Sequence, residues 1–263
     1  MMLEILPLLV FTTLGGISAG AYAVRAIGTA VNLDGVDTPN DTQGRDWIFP
    51  LTCIVLLGVG LLGTLMHLGQ PFRFLNGMSN PASMISQESY WAIAFGIVLV
   101  VDLAICKIKG SAMKVVQWIG FVAAFGLMVV TGLAYQACTF VSAWSGAITV
   151  PLFIVGDFAM GVGLCLAFIK SDGLMRVAHV GNIALSLGWL AVIVGYMVHL
   201  LGVEASLVLV AIGAVVGPVA AAIASVCFLK KFLSPRASAY VVLACSILGV
   251  LLVRGAFFAA GIL

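Results

Sequence analysis

The polar segment HLGQPFRFLNGMSNPASMISQE (67–88) joins the two long apolar runs that precede and follow it. One titratable side chain, His67, lies at the end of the first run, and another, Glu88, lies at the start of the second. An imidazole and a carboxylate are costly to hold at the edge of a membrane, so side chains in such positions commonly have a function. We therefore interpret His67 and Glu88 as candidate catalytic residues.

The composition of the chain restricts its fold class. Of its 263 residues, 63% are hydrophobic and 8% are charged. Soluble domains carry about 25% charged residues, so a water-soluble fold is excluded. Barrel strands alternate in polarity and do not produce long apolar runs, which leaves an all-α integral membrane protein. The net charge of +2 gives no indication of a nucleic acid partner.

Eight apolar runs are long enough to cross a bilayer, which takes about 20 residues. They lie at about 5–30, 47–69, 89–106, 115–137, 147–169, 176–199, 205–229 and 238–261. The first run is interpreted as a retained helix and not as a signal peptide, because its first residues contain no basic side chain and its only early charge is Glu4. The sequence predicts one polytopic membrane domain over residues 1–263.

Basic residues are concentrated on one side of the predicted spans. Ten of the twelve Lys and Arg residues lie in or beside the connections after spans one, three, five and seven: Arg25, Arg45, Lys107, Lys109, Lys114, Lys170, Arg176, Lys230, Lys231 and Arg236. Connections rich in Lys and Arg stay in the cytoplasm. Both termini and the 67–88 segment are therefore predicted to face outward, away from the cytoplasm.

Two short similarities indicate an internal repeat of two four-helix halves, residues 1–138 and 139–263. A Pro-Leu pair opens span one at Pro7 and span five at Pro151. Span two ends in HLG at His67, and span six ends in HLLG at His199. The two halves would be two four-helix bundles with these histidines at similar depth.

Glycine patterns inside the spans predict close helix packing. GVGLLG (58–63) fits the dinucleotide-binding pattern, but it lies within an apolar span and not between a strand and a helix. Small residues that let helices approach closely explain it better. Gly16 and Gly20 in span one and Gly161 in span five have the same interpretation.

Several polar residues fall near the outer ends of the spans: His67, Arg73, Glu88, His199, Glu204 and Arg254. The headgroup of a membrane quinol lies at this interfacial depth. Its oxidation releases two protons together with two electrons, and His and Glu are usual proton acceptors in such reactions. An Arg close by would compensate the charge of the carboxylate.

These residues also have structural interpretations. Glu88 at the start of a helix suits the helix dipole, and His67 could bond a backbone carbonyl. Arg254 could extend to the headgroups. His199 is interpreted as structural. Asp157, deep in span five, requires a partner such as a hydroxyl or water.

Two alternative functions stay open. His67 and His199 could ligate a haem b between facing helices, which would make the chain a quinol cytochrome subunit. A small-solute or ion transporter would instead need charges through the full depth of the membrane, for which Asp157 is the available candidate. The six scattered cysteines do not have the spacing of a zinc or iron–sulfur site, and no metal site is predicted.

Two motifs resemble one known family. The stretch HLGQPFRFLN (67–76), followed by Ser86-Gln87-Glu88, is similar to the HLG-x-P-x-R-x-x-N and Ser-x-Glu stretches of the DmsC-type membrane anchor of dimethyl sulfoxide reductase. RGAFF (254–258) resembles the Arg-Gly-x-Phe-Tyr of that family. The NrfD and PsrC polysulfide reductase anchors are more distant relatives. The resemblance covers the whole chain in architecture and two short stretches in motif.

The resemblance implies a multi-pass protein of the bacterial inner (cytoplasmic) membrane, with both termini on the periplasmic side. It also implies a division of labour among subunits. The anchor would hold menaquinol near its outer face and contain no haem or metal. Its electrons would pass to a four-cluster ferredoxin-like subunit with 4Fe–4S clusters, and from there to a molybdopterin catalytic subunit. Dimethyl sulfoxide, thiosulfate, tetrathionate and selenate stay open as acceptors, as do the quinone type and the direction of electron flow.

The resemblance also assigns residues. His67 and Glu88 match the positions tied to quinol binding, and Arg254 and Tyr135 are expected to contribute to the same pocket. The loop expected to dock the iron–sulfur subunit contains Gln70, Arg73 and Asn76. The chain departs from the family at two positions: Leu133 stands where many relatives have Arg, and Phe258 stands where they have Tyr. Both changes predict a less polar quinol pocket.

Overall fold

The computed structural model describes residues 2–30, 46–67, 78–203 and 205–261. Within these ranges the chain forms helices and turns, with no β-strand among them. Eight helices are long and apolar enough to cross a membrane, as predicted. They are α1 (Met2–Ala30), α2 (Ile48–His67), α3 (Met84–Lys109), α4 (Lys114–Gln136), α5 (Thr149–Phe168), α6 (Asp172–Gly202), α7 (Val208–Leu229) and α8 (Pro235–Ala259).

Helix α3 begins five residues earlier than its apolar run predicts. Ser83, in an extended conformation, occupies the N-cap position, and the helix starts at Met84. The interpretation of Glu88 as a cap is therefore wrong, because this residue lies beyond the first turn. The helix ends at Gly110, whose φ of 77° suits a left-handed cap, and the Gly110 N–H bonds the Cys106 carbonyl at 3.0 Å.

Helix α7 contains a π-helical turn over Val215–Val219. Pro218 lies inside this turn. Proline has no N–H and its ring clashes with the carbonyl four residues earlier, so the helix widens locally. Gly217 in the same turn packs against Gly249 of α8 and the indole of Trp189 on α6, and a Cβ on Gly217 would approach both within about 3 Å.

Helix α1 packs against α2, α4, α5 and α8. Its contact with α5 is made through backbone. A Cβ on Gly20 would overlap the Asp157 carbonyl, and a Cβ on Gly161 would overlap the backbone of Gly20 and Ala21. The predicted close helix packing through small residues is confirmed for Gly20 and Gly161.

The glycines of α2 pack against α1. A Cβ on Gly60 would lie 3.3 Å from the Gly15 nitrogen, and one on Gly63 would lie 3.0 Å from Val10 Cγ1. Gly58 has no such neighbour within 4 Å. The helix-packing interpretation of this pattern is confirmed for Gly60 and Gly63.

A buried hydrogen-bond network joins α6, α7 and α8 near their Lys- and Arg-rich ends. Ser238 Oγ donates to the Pro235 carbonyl at 2.9 Å, so it accepts from His179 Nε2 at 3.1 Å. Ser225 Oγ then donates to His179 Nδ1 at 2.9 Å and accepts from Asn182 Nδ2 at 3.0 Å. Both ring nitrogens of His179 have a hydrogen-bond partner, so we interpret His179 as a structural residue.

Candidate functional site

Glu88 lies half-buried near the N-terminal end of α3, facing α4. Thr131 Oγ1 donates a hydrogen bond of 2.7 Å to Glu88 Oε1, and the Thr131 side chain is buried. One carboxylate oxygen is thereby held in place. Sequence reasoning missed Thr131 as the partner, and its location near the end of a neighbouring span is the one feature that could have indicated it.

Tyr135 lies one turn beyond Thr131 on α4. Thr131 thus links its helix to Glu88, and Phe153, which contacts Tyr135, also lies against the Arg254 guanidinium. The Tyr135 ring stacks on Phe153, with centroids 5.3 Å apart and planes 15° apart. The structure thus brings together three of the predicted quinol-site residues on the side of the molecule where α3 begins and α4 ends.

An aromatic cluster surrounds Tyr135. Its members are Tyr135, Trp144, Phe153, Phe257 and Phe258, joined by stacked and edge-to-face contacts with centroids 5.1–6.5 Å apart. Trp144 Nε1 donates to the Phe257 carbonyl at 2.6 Å, which ties the α4–α5 connection to the end of α8. Phe153, Phe257 and Phe258 are buried, so these stacked and edge-to-face contacts pack the ends of α4, α5 and α8 rigidly together.

Arg254 and Asp157 form a buried ion pair. Arg254 Nη2 lies 2.6 Å from Asp157 Oδ1, and both side chains are at most 3% exposed. The guanidinium also donates to the Thr12 and Phe153 carbonyls and lies 4.5 Å from the centre of the Phe153 ring. Two interpretations from the sequence are therefore wrong: Arg254 does not extend to the headgroups, and the partner of Asp157 is a guanidinium, not a hydroxyl or water.

A small cavity separates the Thr131–Glu88 pair from the Arg254–Asp157 pair. Its volume is about 10 Å³, which is room for about one water molecule. Thr131 lines one part and Asp157 another, with Thr12 and Gly16 between them. Gly16 keeps this wall open, because a Cβ there would overlap the Asp157 carboxylate.

The other predicted site residues lie outside what the structure describes. His67 ends α2, but its side chain is not among the described parts. Gln70, Arg73 and Asn76 fall in 68–77, and Glu204 is also outside the described residues. The contact of His67 with quinol and the docking role of the 67–76 loop stay predictions.

His199 is held by the α4–α5 connection. Its Nε2 donates to the Ser142 carbonyl at 2.9 Å, and the ring lies where a Cβ on Gly146 would touch it. This hydrogen bond occupies the nitrogen that would bind a haem iron, which favours the structural interpretation of His199. Among the described residues, no group of three His, Cys, Asp or Glu side chains could hold a metal ion.

Comparison with known proteins gives two matches. The chain is 28% identical over 172 residues to the Escherichia coli (strain K12) protein named anaerobic dimethyl sulfoxide reductase chain YnfH. That alignment covers 63% of this chain and 57% of YnfH, so the chain spans little more than half the length of this relative. The sequence model described as DMSO reductase anchor subunit (DmsC) matches residues 1–256. Because this second match covers nearly the whole chain, the protein belongs to the DMSO reductase anchor subunit (DmsC) family.

Proposed function

We propose that this chain is the membrane anchor of a molybdopterin oxidoreductase in anaerobic respiration, and that it oxidises menaquinol at its outer face. The observation that carries the proposal is the half-buried Glu88 carboxylate, held by Thr131 beside the aromatic cluster of Tyr135. Membership of the anchor family supports the same function. The electrons would pass to a ferredoxin-like subunit with 4Fe–4S clusters and then to the catalytic subunit.

Glu88 acts in this mechanism as a proton acceptor. Oxidation of a quinol to a quinone releases two protons and two electrons, and a positioned carboxylate lowers the barrier by taking one proton from a hydroxyl. The hydrogen bond from Thr131 to Oε1 orients the carboxylate, so Oε2 is the oxygen proposed to accept the proton. His67, at the end of α2, is proposed to accept the second proton.

Arg254 is proposed to position the quinol site and not to bind quinol directly. Its guanidinium donates to Asp157 and to two backbone carbonyls. Its flat face lies over Phe153, which in turn stacks on Tyr135. Asp157 would therefore hold Arg254, Arg254 would hold Phe153, and Phe153 would fix the ring of Tyr135 beside Glu88.

The arrangement of the helices is proposed to follow the two predicted halves. Helices α1 to α4 contact one another in a closed ring, and α5 to α8 do the same. Helices α1 and α5 join the two rings. These contacts support two four-helix bundles over 1–138 and 139–263, with both termini on the periplasmic side as the Lys and Arg distribution indicates.

Proton or ion transport is a second candidate function. It is favoured by a cluster of buried polar side chains near the C-terminal ends of α1 and α3, at the opposite end of α3 from Glu88. Among the described residues, four buried atoms there lack a hydrogen bond of standard geometry: Tyr22 Oη, Arg25 Nη1, Asp102 Oδ2 and Gln117 Oε1. Buried polar atoms usually find a partner or a water. Quinol oxidation in liposomes that contain the complex and a voltage-sensitive dye separates the two candidates: charge movement across the membrane would support transport, and its absence would support oxidation at the outer face alone.

Recovery of the partners tests the proposed anchor function. The chain would be tagged, extracted from its native membrane in mild detergent and analysed by mass spectrometry together with the proteins that co-purify with it. We expect a ferredoxin-like protein with four clusters and a large molybdopterin protein, and the large subunit would then identify the acceptor. Recovery of the chain alone, or only with copies of itself, would contradict the anchor function.

A further inference from the structure

A second cavity, remote from Glu88, lies at the Lys- and Arg-rich ends of α6, α7 and α8. Its volume is about 240 Å³. It is lined by Asp172, Arg176, Phe228, Lys231, Leu233 and Pro235. These residues come from the first turns of α6, the end of α7, the α7–α8 connection and the start of α8. The cavity therefore lies where membrane helices end, at the depth of lipid headgroups.

Positive charge is concentrated around this cavity. Five of the twelve basic residues of the chain lie in 170–176 and 230–236: Lys170, Arg176, Lys230, Lys231 and Arg236. Asp172 is the one acidic residue in these two segments. Within the described part of the chain, neither Arg176 nor Lys231 forms a salt bridge. Two basic side chains and one acidic side chain, Asp172, thus line the cavity, so its lining has a net positive charge.

The backbone holds Lys231 in an uncommon conformation. Its φ is 65°, and it follows the last residues of α7 in a helix-ending motif. The Lys231 N–H bonds the Phe228 carbonyl, and the Phe232 N–H bonds the Cys227 carbonyl, both at 2.8 Å. Glycine usually occupies this left-handed position. Because Lys231 occupies this position, a cationic side chain lines the cavity. A glycine would supply no charge there.

The remaining walls of the cavity are apolar and rigid. Phe228, Leu233 and Pro235 line it. Phe228 stacks on His179, with centroids 4.3 Å apart, so the buried network of α6, α7 and α8 fixes this wall. Phe232, next to the cavity, is 77% exposed. Cationic groups above apolar walls match a molecule that has a phosphate at one end and hydrocarbon at the other.

We propose that this cavity binds the headgroup of an anionic phospholipid. The Arg176 guanidinium and the Lys231 ammonium bind the phosphate oxygens, since charged donors form strong hydrogen bonds to phosphate. The glycerol and the first acyl carbons pack against Phe228 and Leu233. Basic pockets between membrane helices on the cytoplasmic side are suited to such lipids. The bound lipid links the ends of α6, α7 and α8 and acts independently of quinol oxidation.

Native mass spectrometry of the purified protein in detergent tests the proposal. The protein would be titrated with phosphatidylglycerol, cardiolipin, phosphatidylcholine or inorganic phosphate. We expect one anionic lipid to be retained in preference to phosphatidylcholine, and inorganic phosphate to compete weakly. Equal retention of phosphatidylcholine, or equally strong binding of inorganic phosphate, would overturn the assignment to an anionic lipid.

Variants connect the bound lipid to this cavity. The double variant Arg176→Gln/Lys231→Gln should weaken lipid retention by at least about tenfold, because two charges at the headgroup are lost. Lys107→Gln/Lys109→Gln removes the same number of charges from the same end of the molecule and should retain the lipid. Leu233→Trp fills the cavity without changing the charge and should also weaken retention. Unchanged retention in the first variant, or equal loss in the Lys107/Lys109 control, would contradict the proposal.

Discussion

The hydrogen bond between Thr131 and Glu88 is the polar contact on which the proposed chemistry depends. Glu88→Gln keeps the size of the side chain and an oxygen for Thr131 but cannot accept a proton. We expect quinol-dependent turnover of the complex to fall by at least about 100-fold, in line with the contribution of a general base. Reduction driven by an artificial dye, which bypasses the anchor, should stay unchanged. Full quinol-dependent turnover would remove Glu88 from the mechanism.

Thr131 can be tested with a matched pair of substitutions. Thr131→Val keeps the shape of the side chain and removes the donor to Glu88, whereas Thr131→Ser keeps the hydroxyl. Hydrogen bonds to charged groups contribute about 1.5–3 kcal/mol, so Thr131→Val should lower quinol-dependent kcat by about tenfold or more. Thr131→Ser should stay near the parent rate. Equal rates for the two variants would show that the hydroxyl does not orient Glu88.

The ion pair of Asp157 and Arg254 predicts an asymmetric effect on stability. Asp157→Asn leaves a buried guanidinium without its anion, and breaking a buried pair costs about 3–5 kcal/mol. Asp157→Leu/Arg254→Met removes both charges and should unfold at a higher temperature than Asp157→Asn. Thermal unfolding in detergent measures this difference. A double variant less stable than the single variant would contradict the prediction.

The same double variant separates stability from positioning. With Arg254 absent, the Phe153 ring loses the cation that lies over it, so Tyr135 should be less well fixed beside Glu88. We expect a raised KM for quinol with dye-dependent turnover unchanged. A parent-like KM would show that the pair contributes to folding alone.

The sequence predicted Glu88 near the outer end of a span but not its hydrogen-bond partner, nor the pairing of Asp157 with Arg254. Those two residues are 97 positions apart, and the packing of α5 against α8 brings them together. The sequence nevertheless contained an indication that Asp157 and Arg254 form a pair. Both charges lie within apolar spans and each requires compensation, and the long Arg254 side chain can reach from the outer end of its span to the deeper Asp157.

At the scale of helices, apolar runs predicted all eight elements because burial in lipid requires about 20 apolar residues. They predicted the polar ends less well. Helix α3 begins at Met84 and not near 89, and α6 begins at Asp172 and not near 176. Hydropathy detects the part of a helix that lies in lipid, whereas capping and headgroup contacts decide where the helix begins.

The contact of α1 with α5 predicts unequal effects of two identical substitutions. A Cβ at Gly161 would overlap the backbone of Gly20, so Gly161→Ala should separate the helices and destabilise the protein by about 1–3 kcal/mol. Gly181→Ala adds the same methyl group on α6, where no atom lies within 4 Å. It should leave thermal unfolding unchanged or raise its midpoint slightly. Equal destabilisation by both substitutions would contradict the account of this interface.

At the scale of the whole molecule, most of the described residues lie in membrane-length helices. Their polar groups concentrate at the Glu88 end, in the central ion pair and at the basic end. The order of contacts among the helices could not be read from the sequence, because lipid-facing and helix-facing residues are both apolar. In the sequence, the glycines and the charges within the spans were the features that indicated where helices pack together. Reduction of the final acceptor is accordingly proposed to take place in the docked subunits.

The most direct test of the central claim compares membranes that contain the soluble subunits with this chain and membranes that contain them without it. Menaquinol-dependent and dye-dependent reduction of the acceptor would be measured in both. We predict quinol-dependent reduction only where the chain is present, and dye-dependent reduction in both. Equal quinol-dependent reduction without the chain would show that electrons enter elsewhere and would contradict its role as the quinol-oxidising anchor.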